Sequence, residues 1–318
     1  MTQIREFDGT PSDYETLVNL HNQLWEDKDP LESNQLMKDD EKRKSEHIFR
    51  RFFADVNGQA VGYGEFNHNA RRHHPQRFWV TVAVMDTHRK QGIGQHLFDT
   101  LLAIMQTDYH ANELHTRTTE SRPDGIRFLE KCGFREVKRQ WENHLSLQDF
   151  DESLFNGFDR QMDSLGITIK NLSELMAQDD DALYKVYELH QLLTRDVPNP
   201  VQQTKADYDS WREGYSSDYA DFLPDSNFIA YHDNEYIGLT SFWGNPSADK
   251  LYVGLTGVKR DYRRNGIATA LKLRGLEFAK VFGIPQLITF SHSNAMLQLN
   301  LKLGFKIHAT DILFMQTL

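Results

Sequence analysis

Two short stretches carry the residue types that bind phosphate. In one, Arg89, Lys90, Gln91, Gly92, Ile93 and Gly94 follow a β-like run and lead straight into an apolar helical pattern; in the other, Arg263, Arg264, Asn265, Gly266, Ile267 and Ala268 do the same. A helix N-terminus leaves backbone N–H groups unpaired and carries partial positive charge. Glycines that let an anion approach it closely make it a phosphate cradle. The basic side chains add charge, so the chemistry expected of both stretches is pyrophosphate binding. Neither is a Walker loop, since no Gly-Lys-Ser/Thr follows. Neither is the dinucleotide fingerprint, since Leu97 and Leu271 stand where its third glycine would be.

Gly92 and Gly266 are 174 residues apart, and other features echo at nearly the same offset. Gly133 and Gly304, each followed by Phe, are 171 apart; Gly62 and Gly238, in VGYGEF and IGLTSF, are 176 apart. Three matched features indicate a duplicated domain, and 318 residues exceed the size at which a single core usually stops growing.

Each copy begins with an amphipathic helical pattern, ETLVNLHNQLWEDKDP or DALYKVYELHQLLTRDVP, ending at a proline-bearing loop. Two β-rich runs follow, joined by Asn57-Gly58 or Asp233-Asn234, which is hairpin chemistry. FWVTVAV and LYVGLTGV predict the strand before each glycine loop, and the loop opens a long helix. ELHTRTT and QLITFSH predict a further strand. DGIRFLEKCGF and NAMLQLNLKLGF predict short helices stopped at Gly-Phe, where glycine suits a left-handed cap, and EVKRQWENHLSL and KIHATDILFMQTL close the copies as strands. The expected fold class is α/β of the α+β kind. Its two tandem domains would be residues 1–150 and 166–318, joined by a connector, 151–165, in a region whose FNGFDRQMDSLG can form a helix.

With 39% hydrophobic and 12% aromatic residues the chain can build packed cores, and its net charge of −10 argues against general nucleic-acid binding, which rests on clustered Lys and Arg. No run reaches the roughly 18 apolar residues of a membrane span, and MTQIREFDGT lacks an apolar signal core, so a cytoplasmic location is expected. Cys132 is the only cysteine; beside a turn glycine it reads as packing. NHNARRHHPQR gathers His68, His73 and His74 without regular ligand spacing and reads as a solvated loop, with no metal expected. KDDEKRKSEH, residues 38–47, reads as an exposed helix face.

The arginine, the spacing, the preceding strand and the downstream Gly-Phe helix together resemble the GNAT superfamily of acetyl-CoA-dependent N-acetyltransferases. Its acyl-CoA motif, (Arg/Gln)-x-x-Gly-x-(Gly/Ala), stands here as Arg89-x-x-Gly92-x-Gly94 and Arg263-x-x-Gly266-x-Ala268. The resemblance covers nearly the whole chain as a tandem pair. It implies, in each half, a mixed and mostly antiparallel sheet flanked by helices and splayed beside its fourth strand. There, backbone groups from Val82 to Val84 and from Thr256 to Val258 would hold the pantetheine arm of acetyl-CoA. It also implies direct attack on the thioester by a primary amine of a small molecule or peptide, with a strand N–H stabilising the oxyanion. The alternative is an acyl-CoA-binding sensor or scaffold without turnover.

An attacking amine must be neutral and the departing thiolate benefits from a proton, so a base and an acid are needed. Many members of the superfamily use a tyrosine four residues before the Gly-Phe glycine. Here that position is Leu129 or Asn300, and neither is an acid. Asn300 and Asn294 fit cofactor anchoring, Asn294 equally a helix cap, whereas the first half offers only Leu129 and Asp124. This favours the C-terminal half as the working one. His292 and Tyr252 are its candidate proton-transfer groups, and Glu65 reads as a solvated strand face.

Overall fold

Turn chemistry and apolar periodicity build nearly the same order of elements twice, the second copy adding a short helix after its first strand, in the computed structural model, which describes residues 2–25, 30–43, 46–69, 73–151, 153, 156–198, 200, 207–215, 223–244 and 249–318. The first copy runs β1 (Thr2–Glu6), α1 (Pro11–Leu24), α2 (Ser33–Glu41), β2 (Phe49–Val56), β3 (Gln59–Asn67), β4 (Arg77–Val84), α3 (Ile93–Tyr109), β5 (Glu113–Thr119), α4 (Pro123–Lys131) and β6 (Arg135–Ser146). Then come α5 (Phe158–Ser164), β7 (Thr168–Asn171), α6 (Leu172–Met176), α7 (Ala182–Thr194), α8 (Tyr208–Glu213), β8 (Phe228–His232) and β9 (Glu235–Trp243). The chain ends with β10 (Lys250–Val258), α9 (Ile267–Val281), β11 (Gln286–Ser291), α10 (Asn294–Lys302) and β12 (Lys306–Thr317).

The expected hairpins are β2–β3 and β8–β9, both antiparallel. Asn57 and Gly58 take φ of 52° and 79°, and Asp233 and Asn234 take 48° and 65°. Such turns need positive φ twice, which Gly, Asn and Asp tolerate best. Two strands lie outside the sequence expectation: β1 and β7 precede the first helix of each copy, pairing Ile4 with Ala54 and Ile169 with Ala230. At five and four residues they are too short for an alternating pattern to stand out.

Contacts divide the chain into two units, Met1–Thr118 with Pro123–Val137 and Leu313–Leu318, and Thr119–Arg122 with Lys138–Ile312. Each unit therefore takes a closing strand segment from the other copy. In the first, the end of β12 follows β5 in the sheet, and Leu318 N–H bonds Asn112 O at 2.9 Å. In the second, β6 lies antiparallel to β11 from Trp141↔Ser291 to Ser146↔Gln286. This differs from a division at residue 150: residues 138–150 pack with the second copy, and the chain's last six residues pack with the first.

Within each unit β1 to β4, or β7 to β10, are antiparallel neighbours, and β4–β5 or β10–β11 is the parallel pair. On the sheet of the first unit α3 lays Leu97, Leu101 and Met105, spaced by four and all fully buried. Burying each such side chain contributes roughly 1.5–3 kcal/mol. Gly64 of β3 makes room for Leu101, since a Cβ there would lie 2.8 Å from Leu101 Cδ1. The second unit meets the same need with sizes exchanged. Gly275 on α9 admits the Phe242 ring of β9, which a Cβ would overlap at 1.9 Å.

Candidate functional site

In each unit the strand before the glycine loop starts beside its parallel neighbour and then leaves it. β4 pairs with β5 only from Arg77↔Glu113 to Trp79↔His115, and β10 with β11 only from Lys250↔Gln286 to Val253↔Thr289. Val80 to Val84, and Thr256 to Val258, remain paired on the other side, to β3 and β9. Backbone groups facing the departed strand are left as an open edge inside the sheet, to which an extended amide chain can add. The β4 register is unbroken through Val84, whereas β10 shifts register between Val253 and Thr256, where the Thr256 hydroxyl bonds that of Thr240 at 2.8 Å.

The loops repeat each other residue by residue. Lys90 and Gly92 take φ of 61° and 84°, and Arg264 and Gly266 take 67° and 77°. The two glycines cap α3 and α9 in the left-handed conformation that glycine adopts without strain. Arg89 Nε donates to Val84 O at 3.1 Å and Arg263 Nε to Val258 O at 2.9 Å. Each arginine thus pins its loop to the end of the splayed strand and engages a carbonyl proposed from sequence for the cofactor. His96 N–H is bonded to Gly92 O and Ala270 N–H to Gly266 O. The N–H groups of residues 93–95 and 267–269 are accordingly first-turn donors without acceptors in their own helices. The Ile93 and Ile267 side chains are buried in the core, so only their backbones can face a ligand.

Here the copies part. Among the described residues, chain neighbours aside, nothing comes within 4 Å of a Cβ built on Gly92, and the exposed Lys90 amine stands 3.8 Å from Asp124. Arg89 reaches Asp86 at 2.6 Å, and Gln91 Nε2 donates to Thr87 O at 3.3 Å. Gly94 lies under the Phe128 ring and Val84, at 3.6 and 3.7 Å from a built Cβ, room that Ala268 fills with a methyl in the second copy. Around Gly266 the Gln161 amide of α5 lies 3.1 Å from a built Cβ and donates to Asn265 O at 3.1 Å. Asn265 itself donates to Tyr262 O. Asp196 clamps Arg263 and, at 2.5 Å, Arg260. Arg260 first and Arg263 next hold the Asp196 carboxyl down at about 2, against the opposing effect of burial.

Asn300 does not face this loop. It is fully buried, and its Nδ2 donates to Ser291 Oγ at 2.9 Å, as does Asn143 of β6, while its backbone carbonyl accepts Phe305 N–H at 3.0 Å. Asn294 is exposed in the first turn of α10, accepting from Gln298 at 3.5 Å; the cap is Ser293. His292 lies just beyond β11 with Nδ1 3.3 Å from Lys138 Nζ, an ammonium that can only donate, so that lone pair is engaged. Tyr252 sits opposite Ile288, four residues before His292 and so roughly 13 Å away along the strand direction. The two do not form a proton-transfer pair. Glu65 is no solvated face: buried Arg51 donates to it at 3.0 Å and pairs with Asp40 of α2 at 2.5 Å. Asp40 of the 38–47 stretch is therefore turned inward, while residues 44 and 45 of that stretch lie outside the described residues. Burial pushes the Cys132 thiol up, consistent with packing.

Sequence reasoning missed a pair in the first unit. Trp25 Nε1 donates to Tyr63 Oη at 3.3 Å, and that hydroxyl lies 3.2 Å from His21 Nδ1. The indole can only donate, so the Tyr63 oxygen accepts from it, and the hydroxyl is within hydrogen-bond reach of His21. Burial lowers His21. Tyr63 stands directly opposite Ala83 in the splayed part of β4. The signal was the matched Leu-His of NLHNQL and ELHQLL. In the second copy, however, His190 lies 5.8 Å from the Trp211 ring, and Leu239 holds the place of Tyr63.

The family model described as acetyltransferase (GNAT) matches residues 14–134 and again 186–305. N-alpha-acetyltransferases of Sulfurisphaera tokodaii and Sulfolobus acidocaldarius are each 30% identical over 95 residues, 27% of this chain. The chain covers 57% and 56% of their lengths. A GCN5-related N-acetyltransferase from Sphaerobacter thermophilus superposes with a TM-score of 0.71 at 18% identity, over 99% of this chain and 95% of that one. A tandem GNAT protein from the clavulanic acid biosynthesis pathway does so with a TM-score of 0.71 at 14% identity, over 100% and 98%. At such identities the likeness establishes the fold alone. The splayed parallel pair, the arginine-pinned glycine loop and the Gly-Phe helix stop, present twice, are what a doubled match to one family model should look like, and the chain belongs to the acetyltransferase (GNAT) family.

Proposed function

We propose that the protein transfers the acetyl group of acetyl-CoA to a primary amine, and that acetyl-CoA seats in the first copy. The observation that supports this is the open space at Gly92 beside the first-turn donors of α3, against the Gln161 amide that takes the matching space at Gly266. The sequence preference for the C-terminal half rested on Asn294 and Asn300; Asn300 is committed to Ser291 in the core, and exposed Asn294 accepts from Gln298. N–H groups of Ile93, Gly94 and Gln95 would bind the pyrophosphate, with Lys90 countering its charge. The free edge from Val80 to Val84 would pair with the pantetheine amides, and one of its N–H groups would stabilise the oxyanion.

The reaction forms a bond from the amine nitrogen to the thioester carbonyl carbon and breaks the C–S bond, releasing CoA as thiolate and a proton from nitrogen. His21, kept neutral near pH 7 by burial, would take that proton through Tyr63. The α-amino group of a peptide is the first acceptor to try, because the matched relatives are N-alpha-acetyltransferases. Leu129, in place of an acidic tyrosine, favours a second reading, an acyl-CoA sensor without turnover.

The test is titration of the full chain with acetyl-CoA, followed by an assay of amine-dependent CoA release over small amines and free peptides. One equivalent bound and release with at least one amine are expected. Binding without release by any amine would favour the sensor, and two equivalents would remove the distinction between the loops. In the same assay His21→Ala should lower kcat about a hundredfold with cofactor affinity unchanged. Unaltered kcat would sink the proposed proton path.

A further inference from the structure

We propose that the first unit binds one divalent first-row transition cation of the zinc class on His47, His68 and His73. Their ligand atoms lie within 4.8 Å of one another, and the His73 ring centroid is 4.9 Å from that of His47 and 4.8 Å from that of His68. The sequence shows only the HNARRHH part of this cluster; the fold adds His47, two residues before β2, by bringing that segment against the end of β3.

The protonation pattern is what distinguishes these imidazoles from packed histidines. His68 Nε2 lies 3.2 Å from Pro75 O, which can only accept, so the proton is on Nε2 and the lone pair on Nδ1. That lone pair receives only a long 3.3 Å bond from Ile48 N–H. Among the described residues buried His47 Nδ1 has no hydrogen-bond partner, and the Glu46 carboxylate lies 3.8 Å from Nε2, beyond hydrogen-bond range. His68 thus holds Nε2 to a carbonyl with Nδ1 engaged only by the long Ile48 bond, and His47 presents a buried ring nitrogen without a partner among the described residues. A metal-bound histidine is oriented as His68 is, by its outer partner. Zinc–nitrogen distances are about 2.0–2.1 Å, so the nitrogens must close by about an ångström, and exposed His73 at the loop end is the ligand placed to do so. Three imidazoles leave a fourth position to water or Glu46, and nitrogen donors select zinc-like ions over calcium or magnesium.

A second cluster provides the control. Glu142, His144 and His308 also lie close together, but Glu142 is hydrogen-bonded to His144 Nε2 at 2.7 Å. The two imidazoles stack at 4.0 Å with an 11° interplanar angle, so their nitrogens run side by side instead of converging.

The experiment is calorimetric titration of the untagged, chelator-treated full chain with zinc chloride, paired with cobalt(II) absorption for coordination geometry. One equivalent is expected, with a tetrahedral cobalt spectrum. His73→Ala, at an exposed position, should weaken binding about tenfold or more, and His308→Ala should leave it unchanged. The proposal is overturned by the absence of a stoichiometric site, by binding that survives His73→Ala, or by binding lost with His308→Ala.

Discussion

The two glycine loops share positive φ at matched residues and an arginine bonded to the end of the splayed strand, yet one faces open space and the other faces Gln161 and Asp196. What differs comes from outside the motif: α5 lies in the connector, and Asp196 lies just past α7. A copied motif thus preserves backbone geometry, because glycine conformation and the arginine bond are local. Whether a ligand can reach it is decided by side chains elsewhere in the chain. If that is right, the loops should separate under one matched substitution. Gly92→Asp and Gly266→Asp each put a carboxylate at a left-handed position, which Asp tolerates better than most residues, so both variants should fold. Gly92→Asp should weaken CoA binding about a hundredfold or more, near 2.7 kcal/mol, and Gly266→Asp less than about threefold. Calorimetry with circular dichroism reads the outcome; the reverse pattern would move the cofactor to the second copy.

The comparison can also be sharpened by opening the closed loop. Gln161→Ala combined with Asp196→Asn should allow a second equivalent of CoA to bind, raising affinity at that loop about tenfold or more. Acid should not do the same. Asp196 is held at about 2, so its pairs contribute fully above the unfolded value of about 3.9 and are lost only as pH falls through about 2. Stoichiometry at pH 5 should match that at pH 8. If the double variant still binds one equivalent, something other than these side chains closes the loop.

Much of this architecture was legible because its causes are local. Asn57-Gly58, the Gly-Phe stops and the apolar helical pattern that follows each glycine loop act within a few residues, and each produced the expected element. The exchange of β6 and β12 was not legible, since two strands of similar pattern do not state their neighbours. The loop motif was visible, but its state was not: Gln161 is 104 residues from Asn265, and Arg51 reaches Glu65 and Asp40 only once β2, β3 and α2 are assembled. Asn300 looked exceptional as a polar residue within a helix. Its partner proved to be Ser291, in a buried network that also includes Asn143 from the other copy's closing strand.

The smallest expected effect comes from a core position where the copies also differ. Phe98 and Lys272 are 174 residues apart, the offset of the loops. Phe98 packs 5.7 Å from the Phe134 ring; Lys272, 2% exposed, holds its amine 5.5 Å over the matching Phe305. Burial drives this lysine down to about 7. The folded chain therefore prefers the neutral amine, while an unfolded lysine keeps its proton to about 10.4. Between those values the unfolded state binds more protons, so stability should rise with pH; below about 7 both states are protonated and the cost of burial is constant. Lys272→Met, apolar and of similar length, should raise Tm at pH 7 by several degrees, on a scale of about 2–4 °C per kcal/mol for a domain of 150–250 residues. It should also flatten the rise between pH 7 and 10. Thermal melts across that range decide the matter. A lower Tm in the variant would mean that the second copy gains from a charge where the first gains from an aromatic ring, and the two cores would differ in kind and not only in packing.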